Sequence, residues 1–338
     1  MMPDVVELRR DFLVTAPDAF SAPIMAWESG CLSAFGPVVA VIGAFDGVHL
    51  GHRSLIDSAV ADGRMHGWRT VAVTFDPDPD AVVSTRPALK LTTHDDRLAL
   101  LARTGVDAVL VIPFTPELSK LDHASFFSRV LLAACDVRAI HVGSDFRLGY
   151  HGASTVPVMQ GWCSEHGIAL TGHELVSCDG EVVSATHIRS HIAEGDLARA
   201  ESELGRRYLV RGRIRSGRGE GTGMGFPTAN VEVPHGVQLP KEGVYSGLSL
   251  VEGSVWPAAI NVGVPPTFRD RPESASLEAH LIGFSGDVYG HDISLVFARL
   301  LRGLVKFSSV DELVRTVLDN IDSVKDEFGE SGVVLDDL

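Results

Sequence analysis

The chain has 338 residues, roughly twice the ~150 residues of a typical domain, so two domains are expected. Hydrophobic residues make up 45% and charged residues 22%, which excludes a largely disordered chain. Lys and Arg number 29 against 44 Asp and Glu, a formal net charge of −15. This balance argues against binding to polymeric nucleic acid, because a phosphodiester backbone requires a basic face.

The cysteines and the apolar runs indicate the compartment. The four cysteines are widely spaced and form no CxxC pair, which argues against a disulfide scaffold or a cysteine zinc site: Cys31, Cys135, Cys163 and Cys178. No apolar run approaches the ~18 residues that span a membrane. The N-terminal residues MMPDVVELRRDFLV lack the pattern of a signal peptide. We expect a cytoplasmic protein with no membrane partner.

Residues 38–176 alternate short apolar runs with amphipathic stretches. The apolar runs are VVAVIGAF, TVAVTF (70–75), DAVLVIPF (107–114), AIHVGSDF (139–146) and IALTGHELV (168–176). The helical patterns between them are HRSLIDSAVADGRMHGW, HDDRLALLARTG, HASFFSRVLLAACD and VPVMQGWCSEHG. Such runs suit a parallel sheet buried on both faces, and strands joined by helices at ~30-residue spacing indicate βαβ units. The first half is therefore predicted to be an α/β domain.

The first apolar run leads directly into GAFDGVHLGHRSLI (43–56). Glycines in this string allow a tight turn and a close approach to a ligand, and His49 and His52 follow at the start of the next helix. A loop between a strand and a helix N-terminus favours phosphate, and imidazoles there can donate to it. The alternative is a pair of ordinary helix-start histidines beside turn glycines. The string contains neither GK[ST] nor GxGxxG, so it fits neither a Walker loop nor a dinucleotide fingerprint.

The HxGH motif in this setting resembles the nucleotidyltransferase superfamily, which attacks the α-phosphate of a nucleoside triphosphate. The full string resembles the adenylyltransferase module of the prokaryotic bifunctional riboflavin kinase/FAD synthetase family, as do TFDPDP (74–79), GSDFRLG (143–149) and VSATHIR (183–189). The resemblance implies a Rossmann-like domain over 20–188. It implies catalytic roles for His49, His52 and Arg189, ATP binding by Gly43, Phe45, Asp46, Gly51, Ser184 and Thr186, and flavin binding by Asp145, Phe146 and Arg147.

The VSATHIR string combines two hydroxyls, Ser184 and Thr186, with the guanidinium of Arg189. This set suits the β- and γ-phosphates of ATP, because Arg contacts oxyanions in a bidentate manner. The alternative is a helix cap by Ser184 beside a solvated Arg189.

One of the departures from the family pattern bears on the phosphate site. TFDPDP carries Asp78 between its prolines, where the family usually has a histidine. A carboxylate near phosphates reverses the local charge, so the change is expected to weaken adenylyl transfer, to alter nucleotide choice, or to matter little if Asp78 only shapes the loop.

The pattern changes in the second half. The segment 186–205 is predicted to be helical and to end at Gly205, and we assign a helical connector to 189–206. Strand-like segments then follow one another from about Tyr208 without crossover helices, up to an amphipathic helix over 309–328. This pattern predicts a small antiparallel barrel closed by a C-terminal helix.

Six glycines lie within 212–225, and FPTAN (226–230) follows them. Such glycine density indicates a flexible flap or a phosphate-binding loop rather than a regular strand, although glycine-rich stretches are often only linkers. The hydroxyl of Thr228 and the amide oxygen of Asn230 are hard ligands that suit Mg²⁺.

This string resembles the riboflavin kinase signature, and the match continues through GVYSG (243–247), NVGVPPTF (261–268), SLEAHLIGF (276–284), DVYG (287–290) and LRGLVKFSSVDEL (301–313). The resemblance implies a riboflavin kinase domain over 207–330. It implies that Glu278 is the general base for the ribityl 5′-hydroxyl, and that Gly217, Gly225 and Pro227 bind ATP. The alternative for Glu278 is a solvent-facing strand residue.

The combined resemblance implies an enzyme that converts riboflavin to FMN with Mg-ATP and FMN to FAD with release of pyrophosphate. Its partners would be the small molecules ATP, riboflavin and FMN. A drifted paralogue is the main alternative, either a monofunctional riboflavin kinase or an enzyme of another nucleotide or flavin analogue. A non-catalytic flavin-binding protein is the third. The sequence leaves the oligomeric state open.

Overall fold

A computed structural model describes residues 1–15, 21–215, 226–263 and 276–335. The chain divides into two compact units, one of residues 18–185 and the other of residues 1–17 together with 186–338. Helix α1 (Val5–Asp11) begins the chain. No helix in the described ranges is long and apolar enough to cross a membrane.

A six-stranded parallel sheet forms the centre of the 18–185 unit, in the order β1-β4-β3-β2-β5-β6. Its strands are β1 (Ile24–Ala26), β2 (Pro37–Ile42), β3 (Arg69–Asp76), β4 (Ala108–Pro113), β5 (Asp136–Gly143) and β6 (Ala169–His173). Every residue of β2 after Pro37 is buried, as the unbroken apolar run requires in a sheet covered on both faces. The predicted α/β class is confirmed.

Helices and turns cover this sheet. They are α2 (Leu50–His66), α3 (Pro79–Val83), α4 (His94–Ala102), α5 (His123–Phe126), a π-helical stretch (Phe127–Leu131), α6 (Leu132–Ala134) and α7 (Val156–Glu165). Short 3₁₀ turns lie at Ser33–Phe35, Asp46–Val48, Leu118–Lys120 and Tyr150–Gly152, and a hairpin is formed by β7 (Ser177–Cys178) and β8 (Glu181–Val182).

The other unit is built on an antiparallel barrel. Its strands are β9 (Tyr208–Arg215), β10 (Ala229–Glu232), β11 (Gly243–Val251), β12 (Ser254–Gly263), β13 (Ser276–Leu281) and β14 (Asp292–Arg302). They are ordered β11-β14-β9-β10-β13-β12, and pairing of β11 with β12 closes the ring. Helix α10 (Val310–Phe328) and the short strand β15 (Val333–Val334) follow. The predicted barrel and C-terminal helix are confirmed.

Helices α8 (Ala185–Glu194) and α9 (Leu197–Leu204) precede the barrel. Gly195 separates them at a φ of 83°, and Gly205 ends α9 in the left-handed conformation. Gly212, one of the six clustered glycines, lies within β9 rather than in a flap. The other five lie outside the described residues.

Helix α1 belongs to the barrel-containing unit. Leu8 and Phe12 pack into a core with residues of the barrel strands. Helix α10 contributes Ile321, Val324 and Phe328 to the same core. The Asp11 side chain is fully buried, and its Oδ2 accepts from Arg207 Nη1 at 2.7 Å. Helix α1 is therefore part of the barrel unit. In sequence, the 168 residues of the other unit lie between the segment that contains α1 and the rest of the barrel unit.

Candidate active sites

The HxGH loop lies where β2 ends and α2 begins. His49 is the N-cap of α2, and its Nδ1 accepts the backbone N–H of His52 at 3.4 Å. Because Nδ1 is an acceptor, the ring proton of His49 is carried on Nε2. The two imidazoles stack with centroids 3.6 Å apart. The sequence pattern thus brings two imidazoles to one helix N-terminus, where an anion is favoured.

His52 is a buried imidazole with a neighbouring imidazole beside it. Burial lowers the pKa of His52 well below its ordinary value, and the neighbouring His49 lowers that pKa further. His52 is therefore neutral near pH 7. Its Nδ1 is buried with no hydrogen-bond partner among the residues that the structure describes, which is uncommon for a buried polar atom.

The start of the VSATHIR string lies against the same loop. A Cβ added to Gly51 would lie 3.2 Å from the His49 ring and 3.6 Å from the Val183 carbonyl oxygen. Ser184 follows directly and is partly buried. Thr186 and Arg189 lie on α8, where Arg189 Nη2 donates to Thr186 Oγ1 at 3.1 Å. The division between the two units falls between Ala185 and Thr186, so this string contributes residues to both.

The predicted flavin residues lie at the same edge of the sheet. The loop with Asp145, Phe146 and Arg147 follows β5, which pairs in parallel with β2. From β2 the chain proceeds to β3 and β4 on one side, whereas β5 and β6 lie on the other. Ligands in open α/β sheets bind at such a switch point. Asp145 and Arg147 are exposed, and Phe146 packs partly against the core.

Asp78 does not present an unpaired negative charge. Its Oδ1 accepts from Lys90 Nζ at 3.0 Å, its Oδ2 lies 3.3 Å from Arg97 Nη1, and its side chain is 13% exposed. It also caps α3 by accepting the Asp80 N–H at 3.1 Å. The charge reversal expected from the sequence is therefore compensated by two cations 12 and 19 residues away.

In the barrel, Glu278 is part of a row of polar side chains. Asn230 on β10 and Asn261 on β12 lie directly opposite Glu278 on β13, one on each side. Directly opposed residues of paired strands point to the same face. The three are partly exposed, whereas their strand neighbours are buried in the barrel: Ala229, Val231, Ile260, Val262, Leu277 and Ala279. The register thus sets a carboxylate between two carboxamides on the outer face.

The PTAN segment is held to the same face. His280 Nδ1 lies 2.8 Å from the Pro227 carbonyl oxygen, so Nδ1 carries the ring proton and donates it. Thr228 is partly buried and follows Pro227. In the described residues no group of three or more His, Cys, Asp or Glu is arranged to hold a metal. The predicted ATP-binding residues Gly217 and Gly225 lie outside the described residues.

Sequence reasoning missed Asn261 and Arg97. Asn261 opens the NVGVPPTF string, and strand alternation would have placed it on the same face as Glu278 once the pairing was known. Arg97 lies in a helix and is 5% exposed; burial lowers its pKa, and the carboxylates of Asp78, Asp46 and Asp76 oppose that shift. No local pattern marks an arginine that is buried by partners from other elements.

Comparison with known proteins matches both units. The model of the FAD synthetase family matches residues 33–187, and that of the riboflavin kinase family matches residues 204–328. The bifunctional riboflavin kinase/FMN adenylyltransferase of Escherichia coli (strain K12) is 34% identical over 295 residues, covering 86% of this chain and 93% of the relative. That of Pseudomonas fluorescens is 32% identical over 275 residues, covering 81% and 88%.

A solved structure described as a macrolide-efflux protein from Streptococcus pneumoniae superposes with a TM-score of 0.80. It covers 89% of this chain and 98% of its own chain at 24% identity. At this identity the likeness bears on the fold alone.

Proposed function

The chain belongs to the family of bifunctional riboflavin kinases/FMN adenylyltransferases, and on that premise we propose how its residues divide the two reactions. The enzyme phosphorylates riboflavin to FMN with ATP and transfers AMP from a second ATP to FMN, releasing pyrophosphate and forming FAD. We assign FMN formation to the barrel and FAD formation to the α/β unit. The observation that supports this division is that the stacked imidazoles of His49 and His52 lie in the α/β unit, whereas Glu278 lies between Asn230 and Asn261 on the barrel.

In the barrel, Glu278 accepts the proton of the ribityl 5′-hydroxyl while the hydroxyl oxygen attacks the γ-phosphorus and ADP leaves. A carboxylate within hydrogen-bond reach of an alcohol can do this. Asn230 and Asn261, which flank Glu278 in register, orient the substrate beside it. Pro227, fixed by His280, sets the position of Thr228.

Thr228 and Asn230 fit a Mg²⁺ ion that is completed by nucleotide phosphates and water. Both offer neutral hard oxygens, which is consistent with the lack of a three-residue His, Cys, Asp or Glu cluster in the described part of the chain. When bound, Mg²⁺ would neutralise phosphate charge.

In the α/β unit, an oxygen of the FMN phosphate attacks the α-phosphorus of ATP, so no protein nucleophile is needed. The Nε2–H of His49 and the neutral ring of His52 donate hydrogen bonds to the transferring phosphate as charge develops on it. Arg189, with Ser184 and Thr186, binds the leaving β- and γ-phosphates. The backbone from Gly43 to Asp46 and at Gly51 binds ATP. Asp145, Phe146 and Arg147 bind the flavin.

We also propose that the enzyme acts in the cytoplasm. The four cysteines are free thiols, as a reducing compartment favours.

Product analysis of two variants tests the division. Glu278→Gln should lower FMN formation from riboflavin by roughly 100-fold or more and leave FAD formation from supplied FMN unchanged. His49→Ala should do the reverse, with a loss of about 100-fold in FAD formation. If either variant lost both activities while remaining folded, the two-site assignment would be wrong.

A further inference from the structure

The segment Gly43–Val48, here called the nucleotide loop, holds two non-glycine residues in an unfavourable backbone conformation. Phe45 has a φ of 57° and Val48 a φ of 41°. Positive φ is uncommon for any L-residue and a genuine outlier for a β-branched one. Such residues persist only where their surroundings hold them.

A buried guanidinium holds its start. Arg97 Nη1 donates to the Ala44 carbonyl oxygen at 2.9 Å, and Arg97 Nη2 donates to the Phe75 carbonyl oxygen at 2.7 Å. Ala44 also accepts from the hydroxyl of the buried Thr74 at 3.3 Å. Arg97 thus joins the nucleotide loop to the carboxyl end of β3 through two carbonyls.

The segment before α4 holds the middle of the loop. Asp46 Oδ1 accepts the backbone N–H of Leu91 at 2.9 Å and that of Thr92 at 3.4 Å. Thr92 Oγ1 accepts the Gly47 N–H at 3.4 Å. Residues 91–97 therefore hydrogen-bond to three residues of the nucleotide loop, Ala44, Asp46 and Gly47.

Asp78 supplies the counter-charge that keeps Arg97 in place. A guanidinium that is 5% exposed needs a partner in so dry a position. The carboxylate of Asp78 lies 3.3 Å from Arg97 Nη1 and is itself held by Lys90. This explains in physical terms how the chain accommodates an aspartate between the prolines of TFDPDP.

We infer that Arg97 is a positioning residue for adenylyl transfer and that Asp78 acts through it. In a planar trans peptide the C=O and the following N–H point in opposite directions. Fixing the Ala44 carbonyl toward Arg97 therefore turns the Phe45 N–H away from Arg97 and fixes that donor in the loop. The inference rests on the proposed function of the HxGH loop and adds the group that sets the loop's shape.

The test uses the 338-residue chain supplied with FMN and ATP. Arg97→Lys keeps the charge beside Asp78 but loses the planar fork that bonds two carbonyls. We expect the kcat for FAD formation to fall by about 100-fold, as misplacement of a catalytic group by 1 Å can cause. The KM for ATP should rise by less than about fivefold, since the phosphate-binding residues remain. Arg138→Lys, in an exposed ion pair with Asp136, is the matched control and should have wild-type kinetics.

A rescue experiment separates positioning from simple stabilisation. Arg97→Met leaves Asp78 without its buried partner, so it should lower the thermal midpoint of the 18–185 unit, and adding Asp78→Asn should restore most of that midpoint. If Arg97 positions the loop, kcat in the double variant stays at the Arg97→Met level. Recovery of kcat together with stability would overturn the inference, as would an Arg97→Lys enzyme with wild-type kcat. Absence of FAD formation in the wild type would instead refute the proposed function.

Discussion

The two histidines of the HxGH motif are each constrained by their immediate surroundings. His49 accepts from the His52 backbone through Nδ1 and so carries its proton on Nε2. His52 is kept neutral by burial and by its neighbour. A pair of histidines near phosphates is readily taken for a pair of cations, but His49 accepts a hydrogen bond through Nδ1 and the pKa of His52 is lowered.

The lowered pKa of His52 predicts how stability depends on pH. The folded state disfavours the proton that the unfolded chain binds below about pH 6.5, so this contribution to stability is complete above that pH and is lost as pH falls below it. His52→Gln should reduce the slope of unfolding free energy against pH by at most one proton, about 1.4 kcal/mol per pH unit. Denaturant unfolding between pH 7 and 5 measures the slope.

His66→Gln is the control for that measurement. His66 lies on the same helix with its side chain 45% exposed. The slope of His52→Gln is compared with that of His66→Gln, which removes an imidazole at an exposed position of the helix. A wild-type slope in His52→Gln would mean that His52 takes up a proton in the folded state as readily as in the unfolded chain.

Residues within one motif were predictable from sequence, and residues that join motifs were not. His49, His52 and Glu278 belong to strings whose local pattern already indicates a loop or strand. Arg97 reaches Ala44 across 53 residues, and Asn261 meets Glu278 only through strand register. Such partners depend on the tertiary fold, so the sequence showed Asp78 as an unpaired charge and gave no sign of its cations.

At the scale of elements, long apolar runs predicted the strands of both units, but short elements escaped. Strand β1 has three residues, too few for a periodic pattern. Strand β10 begins inside the FPTAN string, which motif reading treats as a loop. The helix pattern HASFFSRVLLAACD contains a π-helical stretch at Phe127–Leu131, and periodicity alone does not distinguish that turn from an α-helix.

The barrel requires glycine at position 247, where β11 approaches β14. A Cβ on Gly247 would lie 2.2 Å from the Val296 carbonyl oxygen and 2.7 Å from Ile260 Cδ1. Gly247→Ala should therefore destabilise the barrel unit by about 3 kcal/mol, at the upper end of overpacking effects. Hydrogen exchange of the β11 and β14 amides measures this loss.

Gly303→Ala is the matched control in the same unit. No described atom lies within 4 Å of a Cβ added to Gly303, so its effect on exchange should be within about 0.5 kcal/mol. Equal protection of these amides in Gly247→Ala and in the wild type would contradict the prediction. It would show that β11 and β14 accommodate the added methyl group without loss of stability.

At the scale of the whole molecule, one folded unit is built from two segments that are not adjacent in sequence. Residues 1–17 and 186–338 form one unit, and the α/β unit is inserted between them. The sequence of α1 does not identify the core that Leu8 and Phe12 join, because the partners of these side chains are distant in sequence. Strand and helix patterns predict elements well, but they carry no information on which core a terminal helix joins.

Because of this insertion, we expect a change in the N-terminal segment to affect the barrel unit rather than the α/β unit that follows it in sequence. Removal of residues 1–15, which precede the FAD-forming unit in sequence, should instead weaken the riboflavin kinase, because Leu8 and Phe12 complete the barrel core and Asp11 pairs with Arg207. Phe12→Ala alone should cost about 3 kcal/mol in the barrel unit, whereas Val6→Ala, on the same helix but 76% exposed, should cost almost nothing.

Hydrogen exchange resolves the two units, and the rates of FMN and FAD formation are measured on the same samples. Loss of protection in β2–β5 with an unchanged barrel would show that α1 stabilises the α/β unit and would refute the assignment. The expected result is a less stable kinase beside an unchanged adenylyltransferase, because a helix stabilises the core into which its side chains pack.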